Sequence, residues 1–398
     1  MLGIRDMPRP ATVVAIIPFV FACRGPATTD ESTPPEWRLT GPTVTIGVFG
    51  GAADYQFESL SSAWKSDAGR IIVADRGQTS LLFYDEHGQF IRRIGRQGDG
   101  PGEMRYMGNA FPYRGDSIAV HDLGMHRISV FDSAGVFARA LTSPVTYVRK
   151  PNVIPSQSCC LIMGAFADGS FLVHPPDEIP VLAGPPRFGR LSLLRLSADG
   201  QGPDTVGTFE SRLYAHDAAE RAGVRAYETV LPFLYALGAN AVYGGNAQDN
   251  ILVIARMDGT SVDTVRLGPP PPAFTDDMIG MRGQMLREDF ERRPQFYEGG
   301  IDGFLEGVYP ERVPAFSHVL VDPEDRIWIG EFSLHEAAHQ TDPDGKRYRI
   351  HSRNGAVIGT VTLPAGSRLT WAGAREIIAV ERDSLDVQYV RVYGLARQ

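Results

Sequence analysis

Residues Arg70–Gly95 read RIIVADRGQTSLLFYDEHGQFIRRIG, and residues Ser117–Thr142 read SIAVHDLGMHRISVFDSAGVFARALT. At a constant offset of 47 they share Val73/Val120, Asp75/Asp122, Gly77/Gly124, Asp85/Asp132, Gly88/Gly135, Phe90/Phe137 and Arg92/Arg139. So many identities in one register mark an internal repeat. Each copy holds short β-branched, aliphatic and aromatic runs separated by Asp- and Gly-containing turns, the pattern of antiparallel strands. A period of about 40–50 residues with several strands per copy is the mark of a propeller blade. Such a unit cannot bury its faces alone and stacks on its neighbours.

The strand–turn–strand core returns four more times. LSLLRLSADGQGPDTVGTF turns at Asp199-Gly200, ILVIARMDGTSVDTVRL at Asp258-Gly259, and RYRIHSRNGAVIGTVTL at Asn354-Gly355. EIIAVERDSLDVQYVRVYGL turns at Asp383–Asp386. Asp-Gly and Asn-Gly suit hairpin turns, whose central positions need positive φ. Six units over residues 37–398 predict an all-β fold, a six-bladed β-propeller. The units average about 60 residues, above the ~40–45 of a four-stranded blade. The excess is assigned to insertions at about 144–190, 211–230 and 271–313. The last unit lacks a fourth strand. TVTIGV (Thr43–Val48) precedes the first blade and is expected to supply it, closing the ring and removing exposed edges.

One stretch has helical periodicity, TDDMIGMRGQMLREDFERR. Thr275 suits the N-cap, and Asp276 and Asp277 suit the positive end of the helix dipole. Met278, Met281, Met285 and Phe290 share one face. The expectation is a short helical insertion packed over one rim, although a Met-rich face also suits adaptable partner binding.

RRIGRQGDGPGE (Arg92–Glu103) is glycine-rich. A phosphate-binding loop needs a strand, the glycines, then a helix whose N–H groups face the anion. No helical pattern follows, and Pro101 removes a donor. The stretch reads instead as the crossing from the first blade to the second. It resembles the GREGEGPGEF hallmark of bacterial six-bladed β-propellers, secreted or lipid-anchored, that are related to NHL-repeat propellers. Met104 stands where that hallmark has Phe. VPAFSHVLVDPEDRIWIGEF (Val313–Phe332) is similar to the entry into that family's fifth blade, and RDSLDVQYVRVYGL (Arg382–Leu395) to its last. The resemblance spans roughly residues 40–395. It implies an architecture and little about activity, because propellers host many functions.

The net charge of −8 argues against a nucleic-acid footprint, which needs clustered Lys and Arg. Arg5 and Arg9 precede the apolar run ATVVAIIPFVFA (Ala11–Ala22). That run is too short to span a bilayer and fits a signal peptide. Ala22-Cys23 then resembles a bacterial lipoprotein signal, with residues 1–22 removed, Cys23 lipidated, and residues 23–36 left as a Pro- and Thr-rich tether. The expected location is extracytoplasmic, attached to a bacterial membrane through the lipid alone. Cys159 and Cys160 are adjacent. They read as two small buried residues or as a vicinal disulfide.

His335-Glu336-Ala337-Ala338-His339 is a formal match to the HExxH zinc motif. That motif needs a long helix and a third ligand. A strand ends just before it, Asp342-Pro343-Asp344-Gly345 follows, and position 345 is Gly. Context therefore places it in a hairpin loop of the fifth blade. Asp75 and Asp122 occupy equivalent repeat positions and are expected to make structural turn contacts. The turns Asp322–Arg326 and Asp342–Gly345 lack the alternating ligands of a calcium loop. No residue is assigned to catalysis, a cofactor or a metal. The expected function is a monomeric binding module for a protein, peptide or glycan. The alternative is a metal-dependent propeller enzyme, similar to the lactonases and amidating lyases of related-looking folds. It needs three or more acidic, Asn or His groups converging at the channel.

Overall fold

The structure, a computed structural model, describes residues 34–142, 153–155, 161–175, 178–180, 187–216, 224–226, 234–297, 300–305, 309–338 and 340–397. Cys23, Cys159, Cys160 and His339 lie outside them.

Six antiparallel sheets form the body. Blade 1 comprises Leu60–Lys65, Ile71–Asp75, Ser80–Tyr84 and Phe90–Ile94; blade 2 comprises Met107–Tyr113, Ser117–Asp122, Arg127–Phe131 and Phe137–Thr142. Blade 3 is built on Leu161–Ala165, Phe171–His174, Arg187–Leu196 and Asp204–His216. Blade 4 comprises Leu234–Leu237, Ala241–Asn246, Ile251–Arg256 and Val262–Arg266; blade 5 comprises Phe316–Val321, Ile327–Glu331, Lys346–His351 and Val357–Leu363. Blade 6 comprises Ser367–Ala372, Glu376–Arg382 and Gln388–Ala396, and its outermost strand is Arg38–Ile46 from the other end of the chain. The first strands of neighbouring blades lie against one another and surround the axis.

The core is divided among the blade interfaces. Ile72, Leu81, Met107 and Val120 pack between blades 1 and 2. Ile71, Val73, Ile378 and Val392 pack between blades 6 and 1. Similar apolar clusters fill the other four interfaces. Each sheet is thus apolar on both faces, which is why the strands read as short continuous hydrophobic runs rather than alternating ones.

The shared repeat residues have shared jobs. The buried Asp75 carboxylate accepts from Glu58 N and Ser59 N at 3.0 Å each. The buried Asp122 carboxylate accepts from Arg105 N and Tyr106 N at 3.2 Å each. Each Asp ties the chain entering its blade to the end of the second strand. Asp85 and Asp132 fold back on the N–H groups of their own turns. Gly88 and Gly135 follow in the left-handed region at φ 80° and 76°. Phe90 packs edge-on to Tyr84 at 5.9 Å, as Phe137 does to Phe131 at 6.0 Å.

The closing strand starts earlier than the expected Thr43–Val48. Arg38–Thr40 pairs with Gly394–Ala396 and Val44–Ile46 with Val390–Val392, the two halves separated by a bulge. Gly41-Pro42 looks like a strand break in the sequence, but a bulge leaves its residues outside the ladder, so Pro42 withdraws no needed donor. Trp37 anchors this end, 4% exposed, edge-on to Trp328 at 6.1 Å and with Arg326 and Arg397 over its ring.

Other sequence expectations about the blades need correction. The assumed insertion at 144–190 contains the two inner strands of blade 3, Leu161–Ala165 and Phe171–His174. Their turn at Asp168-Gly169 is a hairpin signal lying between Pro-rich flanks. Blade 3 also carries three extra three-residue strands, so it is wider than the other five sheets. The turn at Asp383–Asp386 joins the second and third strands of its blade, whereas the other five turn signals join the third and fourth. The outer strand there comes from the N-terminal side, so no chain turns into it.

Helix α1 (Asp276–Arg292) is capped as expected, with Thr275 Oγ1 accepting from Met278 N at 3.3 Å. Its inward face differs from the expected Met stripe. Arg282, Leu286 and Asp289 are buried, while Met281 is 49% exposed. Arg282 donates to Ala337 O, Phe304 O and the Tyr309 hydroxyl at 2.8–3.1 Å. Asp289 accepts from the Tyr297 hydroxyl at 2.8 Å and pairs with Arg293 at 2.6 Å. Paired charges can be buried, and hydropathy periodicity cannot see that. The helix packs on the blade 5 loop, as the rim-packing expectation had it.

Candidate functional site at the channel mouth

Because every blade begins at the axis, the inner strands all run in one direction. Their first residues form one mouth of the channel and their last residues the other. At the first mouth, Ser59–Ser62, Arg76, Asn109, Met163 and Arg368 surround a cavity of about 300 Å³. The clasp of Asp75 on Glu58 and Ser59, with Arg76 N donating to Ser59 O at 2.8 Å, fixes the backbone that carries Arg76. Arg368 is the second residue of the inner strand of blade 6, and its guanidinium reaches Leu60 O and Ser61 O at 3.3 and 3.1 Å. Asn109 donates to Ile162 O at 3.0 Å, which fixes the opposite wall.

Among the described residues neither Arg76 nor Arg368 makes an ion pair. Arg76 Nε is buried without a hydrogen-bond partner. Arg368 is exposed at the mouth, yet protein packs closely around its side chain. This burial lowers its basicity, and the like charges of Arg382 and Arg76 act in the same sense. An arginine nevertheless stays cationic. Two uncompensated guanidinium groups therefore face one polar cavity, in a molecule whose net charge is −8.

A second recess of about 320 Å³ adjoins the first and shares Arg368. Lys346 Nζ lies 2.6 Å from both Glu336 carboxylate oxygens and 2.6 Å from Glu331 O. Glu336 also accepts from Ser317 Oγ at 2.5 Å. His318 Nδ1 lies 2.8 Å from the Tyr348 hydroxyl. Burial, then the charges of Lys346 and Arg368, push His318 down to about 3, so its ring is neutral near pH 7.

The HExxH match falls here, and context governs it. Helix α2 is only Leu334–Ala337. Glu336, the would-be base, is held by Lys346. His335 Nδ1 sits 3.9 Å from Asp342, and His339 lies outside the described residues. Among the described residues no group of three or more His, Cys, Asp or Glu is placed to hold a metal ion. The two guanidinium groups at the mouth would repel a divalent cation, and they attract an anion. Asp322 makes a closed turn with Arg326 and Trp328 Nε1 at 2.6 and 2.7 Å.

The glycine-rich crossing is closed on itself. Gly100 N donates to Glu103 Oε2 at 2.9 Å and Arg96 Nε to Glu103 Oε1 at 2.7 Å. Gly98 has φ 158°, and a Cβ there would run into the Glu103 carboxylate. The loop's own Glu holds the position an exogenous phosphate would take. Arg105 and Asp99 form a bidentate pair across it at 2.5 and 2.7 Å.

Sequence reasoning missed Arg76 and Arg368. One signal was available for Arg76. It directly follows the repeat's Asp75, and the equivalent of Arg76 after Asp122 is Leu123. A cation stands in one copy where the other has an apolar residue. Arg368 carries no comparable mark.

A 6-bladed beta-propeller family model matches residues 54–156, from the approach to blade 1 to the entry of blade 3. No curated protein matches the sequence. Among solved structures, a member of the DUF4221 family from Bacteroides vulgatus is 10% identical with a TM-score of 0.51, covering 92% of this chain and 100% of that one. A gluconolactonase from Xanthomonas campestris is 11% identical with a TM-score of 0.43, covering 94% and 98%. A virginiamycin B lyase from Staphylococcus aureus is 9% identical with a TM-score of 0.39, covering 91% and 99%. At these identities the likeness is one of fold. Among the described residues, no helix is long and apolar enough to cross a membrane.

Proposed function

We propose that this six-bladed β-propeller is a non-catalytic binding module, and that the Arg76/Arg368 mouth holds the anionic group of its ligand. The observation that carries this reading is the pair of guanidinium groups converging from blades 1 and 6 on one cavity, without counter-charge among the described residues. A carboxylate matches the fork of an arginine in two parallel hydrogen bonds. Asn109 and the Ser59–Ser62 segment add neutral hydrogen-bonding groups around it. A local cationic mouth on an acidic molecule draws anions toward the axis and keeps them off the rim. In the same reading, residues 1–22 are a signal peptide and Cys23 carries a lipid, so the propeller works outside the cytoplasm on a flexible tether. Attachment is then through the acyl chains alone.

The test is thermal unfolding of the purified chain in acetate against chloride at equal ionic strength. A ligand that binds only the native state raises the melting temperature in proportion to ln(1 + [L]/Kd). Acetate is expected to stabilise the wild type, and Arg76→Gln and Arg368→Gln are each expected to abolish the gain. An acetate effect that survives both substitutions sinks the reading. Lipidation is read separately, by fatty-acid labelling of the wild type and of Cys23→Ala. An unlabelled wild type refutes the anchor.

A further inference from the structure

The cationic cavity does not end at the mouth. The same inner strands continue into a larger cavity of about 540 Å³ toward the other mouth. Blade 2 lines the first with Asn109 and Ala110 and the second with Phe111–Arg114. Blade 6 lines the first with Arg368 and the second with Thr370–Ala372. Met163 of blade 3 lines both. The two cavities are therefore successive depths of one channel. Strands rise ~3.3 Å per residue, so inner strands of four to seven residues give a channel of roughly 13–23 Å.

The second cavity differs in character. Its wall includes Phe111, Phe166, Leu237, Val319, Val321 and Trp371. Asp322 also lies there, but its carboxylate is taken up by Arg326, Trp328 and the backbone of its own turn. Arg114 is exposed at the far rim. Met163, an unbranched and adaptable side chain, stands where the polar and apolar depths join.

We infer that the channel takes a small amphipathic carboxylate, head group at Arg76 and Arg368, with an apolar tail running past Met163 into the cavity beside Trp371. This rests on the anion-binding reading above and adds the tail. Charge sets the orientation, because two guanidinium groups converge on the first mouth, while the apolar cavity meets only the exposed Arg114 at its far rim. A tail buried at the ordinary hydrophobic rate tightens binding roughly fourfold per methylene.

The experiment is calorimetric titration of the full chain with acetate, butanoate, hexanoate and octanoate, and with octyl glucoside as an uncharged molecule of equal tail. Affinity is expected to rise about fourfold per methylene along the acid series. Octyl glucoside and the Arg368→Gln variant with octanoate are each expected to fall at least tenfold below wild type with octanoate, while Arg114→Gln leaves it unchanged. A tail-brominated octanoate is expected to quench tryptophan fluorescence in the wild type and not in Trp371→Phe. Val321→Thr, a mild change in the apolar wall, is expected to flatten the chain-length series without altering acetate. Equal affinity for acetate and octanoate, still dependent on Arg368, overturns the tail and leaves the anion site standing. Octyl glucoside binding as tightly as octanoate overturns the assigned orientation. Loss of octanoate binding in Arg114→Gln but not Arg368→Gln also overturns it.

Discussion

Asp75 and Arg76 are neighbours in the chain, yet the fold treats them oppositely. Asp75 is buried and accepts from the backbone of Glu58, Ser59 and Gln78. Its repeat partner Asp122 is buried in the same way, within reach of four backbone N–H groups and 3.6 Å from Arg127 Nε. Among the described residues Arg76 has no ion pair, and it shares its cavity with Arg368. The carboxylates are used up in holding each blade's entry, while the guanidinium groups are left over. A charge that the fold satisfies contributes stability. One that it leaves unsatisfied is available to a ligand.

The sharpest way to break that contrast is to open the ring. Arg76 and Arg368 meet only because blade 6 closes on blade 1. Deleting residues 37–48 removes the outer strand of blade 6 and the buried Trp37 and Ile46. Cooperative thermal unfolding is expected to be lost or displaced downward by about 5–10 °C, since the lost burial is worth several kcal/mol and each kcal/mol moves a chain of this size by about 1–2 °C. Acetate stabilisation should vanish with it. An unchanged melting temperature would count against closure by this strand.

Next in size are the clasps. Asp122→Ala is expected to cost about 3–5 kcal/mol in denaturant unfolding, because buried N–H groups lose their acceptor. It should leave acetate stabilisation intact, whereas Asp75→Ala should cost a similar amount and also loosen Arg76. A Asp122→Ala variant that unfolds like wild type would show that the repeat's Asp is ornamental.

Acidity gives a smaller effect. Burial pushes His121 down to about 4, against an opposing pull from Asp122. Its ordinary value in an unfolded chain is about 6.5. Between those values the unfolded chain binds a proton that the native chain refuses, so stability is full above pH 6.5 and falls as pH drops toward 4. The expected loss between pH 7.5 and 5 is about 2 kcal/mol from this residue. His121→Gln should flatten the profile over that window, and a wild-type profile already flat there would exclude the mechanism. The smallest effect is expected at the HExxH match. His335→Ala should change stability by no more than about 0.5 kcal/mol, as at other surface positions. Equilibrium unfolding checks this, and a loss of several kcal/mol would mean the segment does more than close a loop.

The blades were readable in the sequence because their signals are local. A strand, an Asp that folds onto its own turn and a glycine at positive φ all lie within a few residues of one another. The 47-residue offset repeats that chemistry, and the missing strand of the last unit pointed to a donor near Thr43. The shortness of the helix at the HExxH match was also legible from its neighbours in the chain, since Asp342-Pro343 leaves no room for a long one.

What the sequence could not supply depends on distant residues meeting. Helix α1 buries Arg282 and Asp289, because Ala337, Phe304, Tyr297 and Tyr309 bring partners to them. Hydropathy alone pointed to the methionines instead. Arg76 and Arg368 stand near opposite ends of the chain, and only ring closure puts their charges beside one cavity. Turn chemistry is settled by covalent neighbours. The field at the channel mouth is settled by which charges find a partner, and that is decided only once all six blades are in place.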